Sequence, residues 1–140
     1  MTDSSTTVPE KWRWFPRDRY GLFIHWGPYA RYGRGEQVLF REHLDPNAYV
    51  EQACAWNPAH YDPALWAKTA KEAGFRYACL TTRHHDGYCL WDTTTTDYCS
   101  ADQAPQRDFV REYVEAFRAA GLRIGLYYSL IDWRIPAYFE

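Results

Sequence analysis

The segment Phe75-Arg-Tyr-Ala-Cys-Leu-Thr-Thr-Arg-His84-His85-Asp86-Gly87-Tyr88-Cys89-Leu90-Trp91-Asp92 decides how this chain folds. Its first half, 75–82, is short and rich in apolar, aromatic and β-branched residues, which predicts a buried strand. Its second half opens with two histidines and an aspartate, which predicts a polar loop. Loops at the carboxyl ends of strands carry the chemistry of α/β proteins, so we expect a functional site here. The alternative is an ordinary turn with solvated histidines.

Two further strands flank this segment along the chain. The apolar run 20–26 predicts a strand that includes His25 and ends before Gly27-Pro28. The run 122–129 predicts another, which includes Tyr127 and Tyr128 near its end. A single histidine at a strand end is more often structural than functional, but two strands that end in histidine favour a shared site.

Capping signals predict three helices between these strands. Asp-Pro pairs at 45–46 and 62–63 each predict an N-cap followed by proline at the first helical position, and Asp108 predicts a third start. Gly74 and Gly121 predict left-handed caps at the ends of the second and third helices. Helical periodicity predicts an apolar face for the second and for the third helix. The face of the second helix comprises Leu65, Trp66, Thr69, Ala70 and Ala73, and that of the third comprises Phe109, Val110, Tyr113, Val114 and Phe117.

The order of elements predicts an α/β fold with a parallel sheet and right-handed crossovers. A helix–glycine–strand unit occurs twice, at 70–77 and 117–124. The strand ends that carry His25, His84, His85 and the tyrosine pair would then share one edge, which is the active face of a (β/α)₈ barrel. Such a barrel needs eight strands and about 250 residues, so we expect about three βα units, the N-terminal portion of a TIM-barrel-like domain.

Composition narrows the function. The chain has 140 residues and a net charge of -2, which gives no basic footprint for nucleic acid. No apolar run is long enough for a membrane span, and the polar first residues are not those of a signal peptide, so we expect a cytoplasmic protein. We also expect a disordered lead-in over 1–10 and one domain over 11–140. Aromatic residues make up 19% and either fill a core or form surfaces that suit sugars.

The four cysteines are predicted to be thiols because there is no C-x-x-C pair and no signal peptide. Cys79 lies inside the predicted strand and is predicted to be a small core residue. The loop over 29–44 contains one carboxylate of interest, Glu36, which is either solvated or turned into a cleft.

Two chemistries compete for the histidine-rich segment. A zinc-type metal would suit histidines beside an aspartate, but His84 and His85 would point to opposite faces if both lay in the strand, and the His-x-His spacing of barrel metal sites is absent. Sugar chemistry fits better, because neutral imidazoles and tyrosine hydroxyls both donate and accept hydrogen bonds. The carboxylate pair that glycoside hydrolysis needs is not evident, since Asp86 and Asp92 are typical of loop aspartates that bond backbone amides.

Three motifs resemble the α-L-fucosidases of glycoside hydrolase family 29: 21–29 (GLFIHWGPY), 80–92 (LTTRHHDGYCLWD) and 125–129 (GLYYS). The resemblance runs from about 20 to 133. It implies a retaining exo-glycosidase that removes terminal α-L-fucose from oligosaccharides or glycoconjugates, without a cofactor. It also implies that fucose hydroxyls are held by His25, Glu36, His84, His85 and Tyr127. The family usually has tryptophan after the glutamate, whereas Gln37 follows Glu36 here.

The resemblance places both catalytic groups outside this sequence. The family's nucleophile is an aspartate on the next barrel strand, and its acid/base glutamate lies further on, so both are expected beyond residue 140. We therefore assign no catalytic residue and expect the 140-residue chain to be inactive by itself. A non-catalytic sugar-binding remnant is the alternative, and a metal-dependent barrel hydrolase is the second. Linkage preference and oligomeric state have no sequence signal.

Overall fold

The computed structural model describes residues 8–138, and three parallel strands form its sheet. The strands are β1 (Gly21–Ile24), β2 (Tyr77–Arg83) and β3 (Arg123–Tyr128), and they lie in the order β1-β2-β3. Phe23 on β1 pairs with Cys79 on β2, which pairs with Gly125 on β3. The α/β class, the parallel sheet and its three strands are therefore confirmed.

Five α-helices lie within the described range: α1 (Trp14–Asp18), α2 (Val38–Arg41), α3 (Pro46–Cys54), α4 (Pro63–Glu72) and α5 (Phe109–Ala119). Short 3₁₀ helices cover Glu10–Trp12, Pro28–Tyr32 and Pro136–Tyr138. The predicted N-caps are confirmed, because each aspartate side chain accepts a hydrogen bond from the backbone amide three residues on: Asp45 from Ala48, Asp62 from Leu65, and Asp108 from Arg111. Gly74 and Gly121 have positive φ and follow α4 and α5, as predicted.

The predicted loop over 29–44 is wrong in part, because it contains a 3₁₀ helix and α2. Val38 and Leu39 are almost completely buried, with 2% and 4% of their surface exposed. A helical turn lets this short segment bury two apolar side chains while its backbone stays bonded, as in the Arg41 amide to the Gln37 carbonyl at 2.9 Å.

Helices α4 and α5 cover one face of the sheet. Ala78 and Leu80 of β2 point into this layer and are fully buried against Tyr113 and Phe117 of α5. The Tyr113 hydroxyl donates to the Ala78 carbonyl at 2.8 Å, which ties the helix to the central strand.

A second core lies beneath the loops at the carboxyl end of the strands. It is dominated by aromatic side chains, and its buried members include Tyr29, Tyr49, Trp56, Tyr61, Tyr88, Tyr98 and Phe109. Much of the aromatic excess therefore fills a core that supports the loops, rather than a ligand surface.

The opposite face of the sheet is contacted at one end by α1, where Trp14 and Phe15 pack against Tyr77, and is otherwise open within residues 8–138. Phe23 is 48% exposed, and Cys79 beside it is only partly buried, so the prediction of Cys79 as a core residue is wrong. Strand alternation explains this, because Ala78 and Leu80 take the helix side and leave Cys79 on the other. The four cysteines are free thiols.

Both edges of the sheet border apolar grooves of about 480 Å³. One runs along β3 and α5 and includes Leu126 and Tyr128, each more than half exposed. The other runs along β1 and α4 and includes Leu65, which is 56% exposed. The predicted apolar face of α4 thus lines a groove, and only Ala67 and Ala70 of this helix are buried.

The two ends of the sequence are described only in part. Residues 1–7 of the predicted lead-in and residues 139–140 lie outside the described range, and Glu10 at the end of that lead-in begins a 3₁₀ helix. Between residues 8 and 138, no helix has both the length and the apolar character needed to cross a bilayer.

Candidate active site

The carboxyl ends of the three strands bring together three of the predicted site residues. His25 directly follows β1, His84 directly follows β2, and Tyr127 lies near the end of β3. The ring centroids of His25 and His84 are 5.9 Å apart, and Tyr127 lies 6.0 Å from His84 and 6.5 Å from His25. Parallel pairing therefore gathers groups that are 102 positions apart in sequence (127 minus 25).

Thr81 fixes the segment that carries His25. Its hydroxyl oxygen accepts a hydrogen bond from the Trp26 amide at 3.1 Å and lies 2.9 Å from the Tyr29 hydroxyl. Phe23 packs edge-on against the His25 ring with centroids 4.6 Å apart. The His25 ring itself stays exposed, so it is positioned by its neighbours and still open to a ligand.

His84 is the most enclosed member of the group. It is 5% exposed, and Tyr29 packs against its ring at 5.5 Å. Burial lowers the pKa of His84 to about 4, and the neighbouring His85 adds to that effect. The imidazole is therefore neutral at physiological pH. Its Nδ1 atom is buried and has no hydrogen-bond partner within 8–138.

His85 lies in the turn after β2, so the alternation expected of two strand residues does not apply. Its ring is 4.5 Å from that of His84 and 4.8 Å from that of Trp133. Burial and the nearby Arg83 charge lower the pKa of His85. The two adjacent histidines thus form one neutral pair rather than facing opposite sides of the sheet.

Asp86 is a structural group, as expected for a loop aspartate. It is completely enclosed and accepts hydrogen bonds from the Tyr49 hydroxyl at 2.8 Å and the Tyr88 amide at 3.3 Å. Burial raises the pKa of Asp86 to about 6 despite these donors. Gly87 follows with φ of 79°, and a side chain there would meet Asp132 and Arg134 at under 3 Å.

Glu36 turns toward the histidines rather than into solvent. One donor atom each from His25, Glu36 and His84 lies within 4.8 Å of the other two. A hydrogen bond from its own backbone amide lowers the pKa of Glu36, and the two histidines add to this effect. A carboxylate and two imidazoles can grip sugar hydroxyls or hold a metal ion. The sequence spacing missed this second possibility, because the two histidines come from different strands.

The structure separates the two tyrosines at the end of β3. Tyr127 is partly buried beside His84 and accepts a hydrogen bond from the Ser129 hydroxyl at 3.0 Å. Tyr128 points to the other side, 52% exposed, with its ring 6.1 Å from that of Trp91. The sequence prediction chose Tyr127, which is the tyrosine next to the histidines.

The sequence analysis missed the segment after β3 as part of the site. Asp132 forms a buried ion pair with Arg83, and Arg83 also donates to the Ser129 carbonyl at 2.6 Å. This pairing folds the segment across the end of β2 and presents Trp133 to His85. The run Asp-Trp-Arg at 132–134 was the available signal, but its partner lies 49 residues away.

Fold and site together define an α/β protein with a candidate ligand site at the carboxyl edge of a parallel sheet. A family model described as alpha-L-fucosidase matches residues 2–140. The chain belongs to the α-L-fucosidase family. It is also 32% identical over 144 residues to the tissue alpha-L-fucosidase of Bos taurus, with 91% of this chain and 31% of that protein covered.

Solved structures agree with this assignment. Alpha-L-fucosidase isoenzyme 1 from Paenibacillus thiaminolyticus is 50% identical with a TM-score of 0.86, over 91% of this chain and 30% of that one. An alpha-L-fucosidase from Bacteroides thetaiotaomicron, trapped as a covalent intermediate with 2-fluoro-fucosyl fluoride, is 35% identical with a TM-score of 0.80, over 89% and 31% of the two chains. This chain spans about three tenths of the length of each of these relatives.

Proposed function

We propose that residues 11–140 are the N-terminal, substrate-binding part of a (β/α)₈ α-L-fucosidase domain. Among the described residues, β1 and β3 each pair with β2 alone, which supports this proposal because a barrel strand pairs on both sides. The apolar grooves beside these edges are where the next helices of a barrel would pack. The exposed face with Phe23 and Cys79 corresponds to the barrel interior.

In this proposal, His25, Glu36, His84, His85 and Tyr127 hold the hydroxyls of a terminal α-L-fucosyl residue of an oligosaccharide or glycoconjugate. The observation that carries it is the approach of His25, Glu36 and His84 to within 4.8 Å at the strand ends. The low pKa of His84 keeps its imidazole neutral, so that it can both donate to and accept from hydroxyls. Trp133 offers an apolar ring beside His85 for the C–H face of the sugar.

The proposed mechanism is retaining hydrolysis, and the Bacteroides relative trapped as a covalent intermediate supports it. Retention needs two carboxyl groups about 5–5.5 Å apart across the scissile bond. Two aspartates near the histidine pair are otherwise engaged, Asp86 with Tyr49 and Asp132 with Arg83. We therefore assign the nucleophile and the acid/base to the remainder of the barrel, and this chain to binding and orientation of the sugar.

A binding experiment tests whether the proposed sugar-binding residues of this chain bind L-fucose without the rest of the barrel. Titration of the 140-residue protein with L-fucose should give a saturable change in tryptophan fluorescence, because Trp133 lies against His85. His84→Ala should abolish the change, and His60→Ala, at an exposed turn position, should leave it intact. If the protein is folded but shows no fluorescence response, the proposal that these residues bind fucose without the rest of the barrel is contradicted.

A second experiment tests whether catalysis depends on residues outside this chain. The 140-residue protein alone should release no fucose from an aryl α-L-fucoside, and measurable release would refute the assignment of catalysis to other residues. Replacement of the matching segment of the Paenibacillus enzyme by this chain should give an active chimera that His84→Ala inactivates.

The second candidate function is a non-catalytic sugar-binding module. It is favoured by one observation: His25, Glu36 and His84 lie close together, whereas Asp86 and Asp132 are engaged in structural contacts. A folded but inactive chimera, together with fucose binding by the separate chain, would select this alternative.

A further inference from the structure

Three segments contribute to one cluster of metal-ligating groups. His25 comes from the end of β1, His84 from the end of β2, and Glu36 from the loop before α2. A single nitrogen or oxygen donor from each lies within 4.8 Å of the other two. Two imidazoles and one carboxylate form the donor set of many three-residue zinc sites, which leave a fourth position for water or substrate.

The geometry needs only a small contraction to close around an ion. Zinc bonds of about 2.0–2.1 Å place tetrahedral donors about 3.3 Å apart, so the donors must approach by at most about 1.5 Å. His25 is exposed and Glu36 is partly exposed, so neither side chain is part of the core. Closure around an ion therefore requires movement of these two side chains toward His84.

An independent observation also points to a ligand. The His84 ring is 5% exposed, and its Nδ1 atom has no hydrogen-bond partner in the described part of the chain. A buried polar atom without a partner is costly, so a ligand that bonds this nitrogen is favoured.

We propose that His25, Glu36 and His84 form a binding site for a divalent transition metal of the zinc class, with water completing the coordination. The site uses the same atoms that would hold fucose hydroxyls. Metal and sugar therefore exclude each other, and the ion acts as an inhibitor of sugar binding rather than as a cofactor. This last step rests on the proposed function, whereas metal binding itself does not.

The test titrates the 140-residue protein with Co²⁺, which reports tetrahedral coordination by its visible absorption, and with Zn²⁺ by calorimetry. A single equivalent should bind, and both His84→Ala and Glu36→Gln should weaken binding by at least about tenfold. Glu36→Gln removes a charge from a partly exposed side chain and guards against misfolding of the histidine variant. His60→Ala should bind as the unchanged protein does.

The four free thiols are the competing ligands, and they are distinguishable. Cobalt bound by cysteine gives an intense sulfur-to-metal band in the near ultraviolet, which the proposed nitrogen and oxygen site lacks. Such a band, or binding that both variants retain at full strength, would overturn the proposal. So would the absence of any stoichiometric binding.

Competition with L-fucose separates this proposal from the fucosidase assignment. Zn²⁺ should raise the apparent dissociation constant for fucose linearly with the free metal concentration, as expected when two ligands exclude each other. If metal binding is weakened by the Glu36 and His84 substitutions but is unaffected by added fucose, the proposed metal site is supported and the proposed sugar site is contradicted. Fucose binding without metal binding would remove the metal site alone.

Discussion

Arg83 and Asp132 form a buried ion pair that joins the end of β2 to the segment after β3, with guanidinium and carboxylate atoms 2.5 Å apart and both side chains under 10% exposed. Asp132 also binds Arg134, and Arg83 holds the Ser129 carbonyl. The pair therefore fixes the path of the chain that carries Trp133 to His85. It is a structural support for the proposed sugar site.

We predict that Asp132→Asn lowers the free energy of unfolding by about 3–5 kcal/mol, because it leaves two arginine charges without their carboxylate. Urea unfolding of the purified protein measures this. The matched control is Glu42→Gln, which breaks the exposed pair between Glu42 and Arg34 and should cost less than about 1 kcal/mol. Equal costs for the two variants would show that burial of the first pair does not matter.

Gly87 is predicted to tolerate no side chain. A Cβ atom there would lie 2.6 Å from Arg134 Nε and 2.7 Å from an Asp132 carboxylate oxygen. Gly87→Ala should therefore cost clearly more than Gly74→Ala, which has a similar positive φ but no atom within 4 Å of the added carbon. Strain alone should cost the latter about 1–2 kcal/mol. Thermal unfolding of both variants measures the difference in stability. Similar melting temperatures would show that Asp132 and Arg134 do not exclude a side chain at residue 87.

The Thr81 hydroxyl is predicted to hold the loop that carries His25. Thr81→Val removes the partner of the Trp26 amide and of the Tyr29 hydroxyl, and should destabilise the protein by about 1–3 kcal/mol. Thr81→Ser keeps the hydroxyl and should retain most of the stability and the fucose response. A loss of fucose affinity in the serine variant equal to that in the valine variant would contradict positioning by the hydroxyl.

Local chemistry made much of this fold predictable from the sequence. The Asp62 and Asp108 caps and the Gly74 and Gly121 ends depend on neighbours within a few residues, and each was predicted correctly. Parallel pairing of the strands followed from the alternation of helices and strands. The prediction of Cys79 as a core residue was wrong because a short apolar run does not tell which face of a strand is covered.

The candidate site could be predicted only where a motif carried it. His25, His84 and Tyr127 lie at strand ends, and parallel pairing brings them together as expected. The contact between Asp132 and Arg83 spans 49 residues, and no local pattern signals it. The role of Trp133 depends on that contact, so the sequence analysis could not find either one.

Asp86 is predicted to make stability fall as pH rises. Its folded-state pKa of about 6 exceeds its unfolded value, so the folded protein binds more protons between about pH 4 and 6. The contribution is favourable below the unfolded pKa and is lost as pH rises through about 6. Asp86→Asn can still accept a hydrogen bond from Tyr49 but cannot ionise. The free energy of unfolding of this variant, relative to that of the unchanged protein, should therefore rise by about 3 kcal/mol from pH 4 to pH 7. Urea unfolding at both pH values measures this, and a constant difference would contradict it.

His84 is predicted to have the opposite effect in an overlapping range. Burial lowers its pKa to about 4, so the unfolded chain binds the proton more readily than the folded protein. The free energy of unfolding therefore decreases as pH falls from about 6.5 to 4. In the folded protein, the His84 Cε1–H resonance should shift only near pH 4, and His84→Gln identifies that resonance. The fucose response should likewise persist on acidification until His84 takes up its proton. A resonance that titrates near the ordinary histidine pKa would show that the ring is hydrated, and would remove the reason for treating it as a neutral donor and acceptor at the site.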